Sequence, residues 1–291
     1  MSDAARDAGF LHRRGAILLL TAAGLWSLNG LLIKVLFASG HGVGGLSIAA
    51  WRSVFAGIAL APLAVRRWHP IAEQRWLAGA LLMFTAMCAT FVLATTLTSA
   101  ANAIILQYTA PAWVFLLSPR IVGDRAQPRH AWPFVVSMAA VVLIFTAQFS
   151  SDAVGLVVGL ASGVVFGCQG VLFRRVRHVD PVVMAFLSCA VSAALLTPLA
   201  MAIDGWHLTT RQIGVLAFMG VVQFGLPYVL YSAAVRIVSA QTAVLLIMLE
   251  PVTNPLWTWL GYGEVPHWST LAGGVMILSS VLYLSLTSLR K

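Results

Sequence analysis

The stretch SAQTAVLLIMLEPVTNPLWTWLGYGE, residues 239–264, is long and apolar enough to cross a lipid bilayer. Its middle carries Glu250 and Pro251, and Pro255 follows one turn later. An acidic side chain at the membrane centre costs roughly 2.5–3.5 kcal/mol, and each proline removes one backbone donor. Groups this unfavourable in a bilayer indicate a functional site. We therefore expect Glu250 to lie in a substrate or ion pathway, with both prolines breaking the helix around it.

The same stretch has a copy 140 residues earlier, SAANAIILQYTAPAWVFLLSPRIVGD at residues 99–124, which aligns without a gap. Pro111 matches Pro251 in this alignment, but Ala110 stands where the second copy has Glu250. The same offset aligns the first apolar run with the sixth, and Phe84 with Phe224. An offset of 136 aligns the second run with the seventh, through Pro62-Leu63-Ala64 and Pro198-Leu199-Ala200. The chain is therefore an internal duplication whose copies differ at Glu250.

Composition excludes several classes of protein. Of 291 residues, 60% are hydrophobic and 9% charged, whereas soluble domains carry about 25% charged residues. The net charge of +9 does not indicate nucleic-acid binding, because the arginines are dispersed among short loops without forming a basic face. The cysteines lie inside apolar runs without metal-ligand spacing, so we expect no cofactor and no metal site.

Apolar runs of about 20 residues predict membrane spans, and they must be helical because a helix satisfies its own backbone in lipid. Ten runs meet this description: 15–37, 45–65, 76–96, 100–117, 131–149, 153–173, 181–202, 212–235, 240–261 and 268–286. One set of connections carries nearly all the arginines, while the other has only Lys34 and Arg211. This bias predicts that both termini face the cytoplasm.

The duplication and the span count together predict the architecture. Residues 1–149 and 150–291 would each form a five-helix repeat. Because five is odd, the second repeat must cross the membrane in the opposite direction to the first. The predicted fold is an all-α membrane protein with ten transmembrane helices in two inverted five-helix repeats. Proteins built this way bind small solutes near the midplane, between the repeats.

Two charges lie deep inside predicted spans. Glu250 is either a switch that gains and loses a proton or a structural group hydrogen-bonded to freed backbone, and the sequence leaves both readings open. Arg52 could pair with Glu250, receive a substrate carboxylate, or extend to the membrane interface.

Other polar, aromatic and methionine side chains near mid-span could line a cavity that is apolar with a few polar groups. The candidate substrate-binding residues are Trp26, Asn29, Arg52, Met83, Asn102, Gln107, Tyr108, Gln169, Gln223, Tyr228, Tyr231, Met248, Glu250 and Asn254, with helix breaks at Pro111, Pro251 and Pro255. Gly155, Gly159, Gly163 and Gly167 form a smooth stripe, either for tight static packing or for helix sliding. Nucleotide-binding and hydrolase motifs are absent from the sequence, so we do not expect an enzyme.

The chain resembles the EamA-type branch of the drug/metabolite transporter superfamily along essentially its whole length. The resemblance rests on WSLNGLLIK at residues 26–34, Trp51-Arg52-Ser53, Tyr108-Thr109-Ala110-Pro111 and Leu249-Glu250-Pro251, together with the repeat. It implies a carrier in the bacterial cytoplasmic (inner) membrane that exports small metabolites by alternating access. Within the branch, the chain is most similar to exporters of aromatic and other hydrophobic amino acids.

Alternative functions stay open at this point. A carrier of cationic drugs would use Glu250, whereas carriers of sugar phosphates or nucleotide sugars would need more buried cations than Arg52 alone. A passive pore or a membrane-embedded enzyme or scaffold has less support, because no filter loop, catalytic constellation or docking surface is visible. The expected partners are a small-molecule substrate and the lipid bilayer, with a proton as an undecided coupling ion.

Overall fold

A computed structural model describes residues 3–39, 43–121, 123, 131–205, 207–234 and 246–288, and these residues contain helices and no strand. Residues 239–245 of the opening stretch lie outside this part. The helices are α1 Asp3–Ser27, α2 Asn29–Phe37, α3 Gly45–Arg66, α4 Gln74–Leu97, α5 Ala100–Gln107, α6 Ala110–Ile121, α7 Ala131–Arg175, α8 Pro181–Ile203, α9 Thr210–Phe218, a π-helical segment Met219–Gly225, α10 Leu226–Ala234, α11 Leu249–Tyr262 and α12 Trp268–Ser288.

Within the described ranges, seven helical stretches are long and apolar enough to cross a membrane. They are Arg13–Phe37, Gly45–Arg66, Gln74–Leu97, Ala100–Ile121, Ala131–Arg175, Pro181–Ile203 and Thr210–Ala234. A shorter apolar helix covers Trp268–Tyr283. The protein is therefore an all-helical, multi-pass membrane protein.

Helix α7 has 45 residues, so it would be roughly 68 Å long if straight, about twice the thickness of a hydrocarbon core. It is not straight, because Asp152 has the non-helical angles φ −146° and ψ 24°. This residue lies between the predicted spans 131–149 and 153–173. Two helical arms therefore meet at Asp152.

Two helices are interrupted ahead of a proline. The chain leaves the helix at Tyr108 and Thr109, between α5 and α6, and it turns at Met248, just before α11. Pro111 and Pro251 each come three residues after the start of an interruption, and therefore in the first turn of the helix that follows it. Backbone N–H groups in a first turn have no partner within the helix, so the N–H that proline lacks is not missed there. Pro255, which we expected to break the helix as well, lies inside α11. A proline at this position removes one backbone hydrogen bond and crowds the carbonyl of Pro251, yet α11 continues past it to Tyr262.

The largest helix contacts join α4 to α7 and α3 to α8, and α7 also packs closely on α5 and α6. The glycine stripe of α7 makes this last approach possible. At Gly163, an added Cβ would collide with the Leu106 carbonyl oxygen and the Thr109 hydroxyl, beside the interruption between α5 and α6. At Gly167 it would come within 2.9 Å of the Ala110 carbonyl oxygen. The stripe therefore packs tightly against the interrupted helix.

We predict that Gly163→Ala lowers the stability of the folded protein by about 1–3 kcal/mol, because rigid backbone would have to move. Gly24→Ala is the matched control, since an added Cβ at Gly24 meets nothing within 4 Å. That control should be neutral or stabilising by roughly 0.5–1 kcal/mol. Thermal unfolding of both variants in detergent measures the difference, and equal melting temperatures would contradict the tight contact.

Candidate functional site

A cavity of about 1160 Å³ lies inside the helical bundle. Its walls come from both halves of the chain. Helices α1 to α6 contribute from the first half, and α7, α8, the π-helical segment, α10, α11 and α12 contribute from the second. It extends to Arg174 and Arg177, which are exposed at the end of α7 and in the turn after it. We call this end of the bundle the arginine end.

Most of the predicted site residues line this cavity. They are Trp26, Asn29, Arg52, Gln107, Tyr108, Gln169, Tyr228, Tyr231, Met248 and Glu250, together with the break residue Pro111. The residues that do not line it are Met83, Asn102, Gln223 and Asn254, and the prolines Pro251 and Pro255.

The amides outside the cavity bind or pack against other parts of the protein. Gln223 is buried and donates from Nε2 to the Trp26 carbonyl oxygen at 3.3 Å, next to the turn at Leu28 that separates α1 from α2. Asn254 is fully buried in α11 and packs closely on Gly30. These two side chains therefore join the first helices to the second half of the chain.

Arg52 of α3 is 1% exposed and lines the cavity. Its NH1 donates to Asn29 Oδ1 at 3.0 Å, and its guanidinium carbon lies 4.7 Å from the centre of the Phe224 ring. Nε has no hydrogen-bond partner among the described residues. The membrane-interface reading of Arg52 is wrong, because the side chain is buried among cavity residues.

Glu250 is the second residue of α11 and also lines the cavity. Its Oε2 accepts a hydrogen bond of 3.1 Å from the hydroxyl of Tyr108, at the other helix interruption. The first turn of a helix favours a carboxylate because the helix dipole is positive there. No ion pair between described residues joins Glu250 to Arg52, so of the alternatives that the sequence left open for Arg52, the direct pair is not formed in this structure. A neutral amide and a tyrosine hydroxyl are their hydrogen-bond partners instead.

Aromatic rings form much of the cavity wall. The ring centres of Trp26 and Tyr228 are 5.3 Å apart, those of Phe224 and Tyr228 are 5.5 Å apart, and those of Trp26 and Tyr231 are 6.1 Å apart. Phe84 lines the same wall, 6.0 Å from Phe224. The candidate set missed Phe84 and Phe224, although their match across the repeat was a signal for them.

Positions that the repeat makes equivalent meet in this one cavity. Seven pairs at the offset of 140 and one at 136 have both members in its lining: Trp26 and Phe166, Asn29 and Gln169, Phe84 and Phe224, Phe91 and Tyr231, Gln107 and Ile247, Tyr108 and Met248, Ala110 and Glu250, and Arg52 and Ser188. Arg52 and Glu250 are the members whose equivalents carry no charge. The two deep charges of the cavity therefore arise where the copies differ.

A polar cluster lies at the other end of the bundle from Arg174. Lys34 Nζ lies 2.8 Å from Glu264 Oε2 and donates to the Thr98 carbonyl oxygen at 2.7 Å. The other oxygen of Glu264 accepts from the Ala100 N–H, at the start of α5, at 2.7 Å. These four residues define what we call the lysine end, and none of them lines the cavity.

A buried network extends the lysine end. Asn102 Nδ2 donates to the Thr98 hydroxyl at 2.9 Å and to Gln148 Oε1 at 3.0 Å, and the Thr98 hydroxyl also contacts Asp152. Gln148 Nε2 in turn donates to the hydroxyls of Ser269 at 2.8 Å and Thr270 at 3.0 Å. Asp152 is 22 residues from Arg174 along one helical arm, roughly 33 Å. The two ends are therefore on opposite sides of the bundle.

Comparison with known proteins gives two matches to one family model, described as the EamA-like transporter family, at residues 13–146 and 153–286. The chain is 31% identical over 236 residues to a protein of Pseudomonas aeruginosa named pseudopaline exporter CntI, covering 80% of this chain and 79% of that one. It is 27% identical over 258 residues to a protein of Archaeoglobus fulgidus described as an uncharacterized transporter, covering 88% of this chain and 93% of the relative.

A protein of known crystal structure shares the fold at 18% identity, with a TM-score of 0.65 over 95% of this chain and 99% of that chain. Because both family matches together cover nearly the whole sequence, the chain is a membrane transporter that belongs to the EamA-like transporter family.

Proposed function

We propose that the chain is a secondary exporter of small amphipathic metabolites in the bacterial cytoplasmic membrane, with aromatic and other hydrophobic amino acids as its first candidate substrates. The observation that carries this proposal is the aromatic-walled cavity, which contains a buried Arg52 and a carboxylate at Glu250. Its volume of about 1160 Å³ lies just above the usual range for small-molecule pockets, roughly 300–1,000 Å³. It can therefore hold such a solute together with water.

Ten crossings in two inverted repeats account for the helices. The arms of α7 on either side of Asp152 serve as the fifth and sixth spans, so each repeat contributes five. Repeat-equivalent residues sharing one cavity support this arrangement, because an inverted pair meets at the midplane. In this arrangement both termini are cytoplasmic, and the arginine end, where the cavity reaches the surface, faces the cytoplasm.

Alternating access then assigns a role to each end of the bundle. The cavity receives solute from the cytoplasm at the arginine end, while the lysine end is closed. Export requires the lysine end to open, which separates Lys34 and Ala100 of the first half from Glu264 of the second. The Gln148 bonds to Ser269 and Thr270 cross the same boundary. The relative named as a pseudopaline exporter supports metabolite export as the direction.

A carrier of lipophilic organic cations is the second candidate function. Glu250 and the aromatic rings around Trp26 and Tyr228 favour it, since a carboxylate and ring faces both attract cations. In either function a proton is the candidate coupling ion, and Glu250 is the residue that could carry it.

Transport into proteoliposomes tests the proposal. We expect saturable uptake of labelled phenylalanine, tryptophan or leucine, stimulated by unlabelled solute on the opposite side, with empty liposomes as the control. A parallel series with a pH gradient tests proton coupling, and an organic cation tests the second candidate. Uptake of another metabolite but no amino acid would contradict the substrate choice, and channel-like conductance would contradict a carrier.

The lysine end provides a second prediction. Lys34→Met removes the partner of Glu264 and leaves the Thr98 carbonyl unpaired, so the closed state should lose about 1–2 kcal/mol, or roughly five- to thirty-fold in population. We expect faster labelling of Ala101→Cys, which is buried at this end, by a membrane-impermeant maleimide applied to intact cells.

The labelling needs a background in which Cys88, Cys168 and Cys189 are alanine. Lys34→Arg is the matched control, because it keeps the positive charge and should label more nearly as the parent does. Equal labelling rates in all three proteins would mean that Lys34 does not hold this end closed.

A further inference from the structure

We propose that the cavity binds its solute as a zwitterion in a fixed orientation, with the carboxylate at Arg52 and Asn29 and the ammonium at Glu250 and Tyr108. This inference rests on the proposed function and specifies the chemistry of the substrate. It would exclude solutes that carry only one of the two charges as good substrates.

The cationic subsite, formed by Arg52 and Asn29, has a hydrogen-bond donor without a partner among the described residues. The guanidinium of Arg52 has five N–H donors: NH1 donates to Asn29 Oδ1, the Cys88 thiol is a further neutral contact, and no described residue accepts from Nε. No carboxylate among the described side chains lies within ion-pair distance of it. A buried cation without a counter-charge is unfavourable, and a carboxylate that meets the guanidinium edge provides both charge and acceptors.

Asn29 and Phe224 hold this guanidinium in position. Asn29 Oδ1 accepts from NH1 at 3.0 Å, and the Phe224 ring covers one face of the group. Because one face is covered and one nitrogen is occupied, the directions from which a carboxylate can approach are restricted. Arg52 is also 1% exposed, so the side chain has little room to turn towards another partner.

The anionic subsite, formed by Glu250 and Tyr108, has acceptor capacity that the described residues leave unused. Glu250 accepts one hydrogen bond, from the Tyr108 hydroxyl, and no described cation pairs with it. Gln169, which is 4% exposed, also lines the cavity, and its Oε1 has no partner among the described residues. It lies on the arm of α7 whose Gly167 packs against the Ala110 carbonyl, at the start of α6. An ammonium has three donors and fits the Glu250 carboxylate together with the oxygen of the Tyr108 hydroxyl beside it, and Gln169 Oε1 is a further acceptor in the same cavity.

The two charges stay apart although they share one cavity. Were they close enough, they would neutralise each other, but they do not form an ion pair and instead contact neutral groups. The equivalent positions in the other repeat copy are Ser188 and Ala110, so neither deep charge has a symmetric counterpart. The other arginines of the lining, Arg174 and Arg177, lie at the exposed arginine end. A solute that carries both charges therefore has one orientation that satisfies both.

The aromatic wall provides the third contact. Trp26 and Tyr228 lie edge to face, and Phe84 and Phe224 continue the same wall. Phe224 also lies under the guanidinium of Arg52, so this wall begins at the cationic subsite. An apolar or aromatic side chain attached next to the carboxylate would lie against these rings.

The test uses four ligands that share a phenyl group. Phenylalanine carries both charges, 3-phenylpropionate only the carboxylate, phenethylamine only the ammonium, and 2-phenylethanol neither. Affinities are measured by equilibrium titration of purified protein in detergent at neutral pH. For the parent protein we expect phenylalanine to bind about 10- to 100-fold more tightly than either singly charged ligand, because each subsite makes charge-assisted hydrogen bonds.

Charge-deleted variants then separate the subsites. Arg52→Gln should weaken phenylalanine and 3-phenylpropionate by about 10-fold or more while leaving phenethylamine within about twofold, and Glu250→Gln should show the reverse pattern. Arg52→Lys keeps the positive charge but lacks the planar guanidinium, and it serves as the second variant if Arg52→Gln does not fold. It should lower the affinity only for the ligands that carry a carboxylate, because lysine cannot bind a carboxylate through two parallel hydrogen bonds. Met83→Leu, at a methionine that does not line the cavity, is the control and should leave all four affinities unchanged.

Three results would overturn the orientation. In the first, both charge variants lose the same affinity for all four ligands. In the second, the parent protein binds phenethylamine as tightly as phenylalanine. In the third, the parent protein efficiently transports a solute that lacks one of the two charges. The last result would leave the transporter function intact. A parent protein that moves none of the solutes in proteoliposomes would instead contradict the proposed function itself.

Discussion

A helix that is interrupted inside a bilayer leaves backbone groups that lipid cannot satisfy, so interruptions persist only where protein or water meets them. This chain interrupts helices at Leu28, at Tyr108 and Thr109, and at Met248, and it widens a helix into the π-helical segment Met219–Gly225. Each interruption lies beside a cavity-lining residue: Asn29, Tyr108, Met248 and Phe224 respectively. The freed Trp26 carbonyl is satisfied by Gln223. The cavity is therefore built where regular helix stops.

The duplication explains both the likeness and the asymmetry of the site. Equivalent residues such as Phe84 and Phe224 come into contact because the two copies enclose one space. If the copies were identical, the cavity would have matching chemistry on both sides and no preferred direction for a polar solute. Arg52 and Glu250 remove that symmetry, since their equivalents are Ser188 and Ala110. Retaining the scaffold while changing two side chains is sufficient to give the cavity a positive and a negative side.

The sequence predicted those features that depend on local chemistry. Apolar length predicted an all-helical membrane protein, and of the ten predicted spans the described residues show seven helical stretches long enough to cross a membrane. Prolines at equivalent positions predicted interruptions near residues 108 and 248, because a proline cannot donate a backbone hydrogen bond. Pro255 was the exception, since a single missing donor does not determine whether the helix stops or continues. The separation of α7 at Asp152 also falls where the predicted fifth and sixth spans end and begin.

The sequence was less informative about which polar residues face the cavity. An amide in the middle of a span can be hydrogen-bonded by a solute or by another helix, and the sequence looks the same in both cases. Gln169 lines the cavity, whereas Asn102 binds Thr98 and Gln148, although both are amides inside apolar runs. The partner of Arg52 was beyond prediction for a similar reason. The sequence offered Glu250, a substrate carboxylate or the membrane interface to Arg52, and it is the packing of α2 beside α3 that brings Asn29 to it instead.

The central claim is that the arginine end and the lysine end open in turn around one cavity. The most direct test is a pair of distance distributions from spin labels in lipid, recorded with and without a transported solute. One pair, at the exposed positions Arg120 and Ala233 of the first and second halves, reports on the arginine end, and the other, at the exposed positions Leu97 and Val265, reports on the lysine end. We predict that the first distance shortens as the second lengthens. Distances that stay fixed at both ends while solute is being transported, or that change in the same direction, would contradict the account.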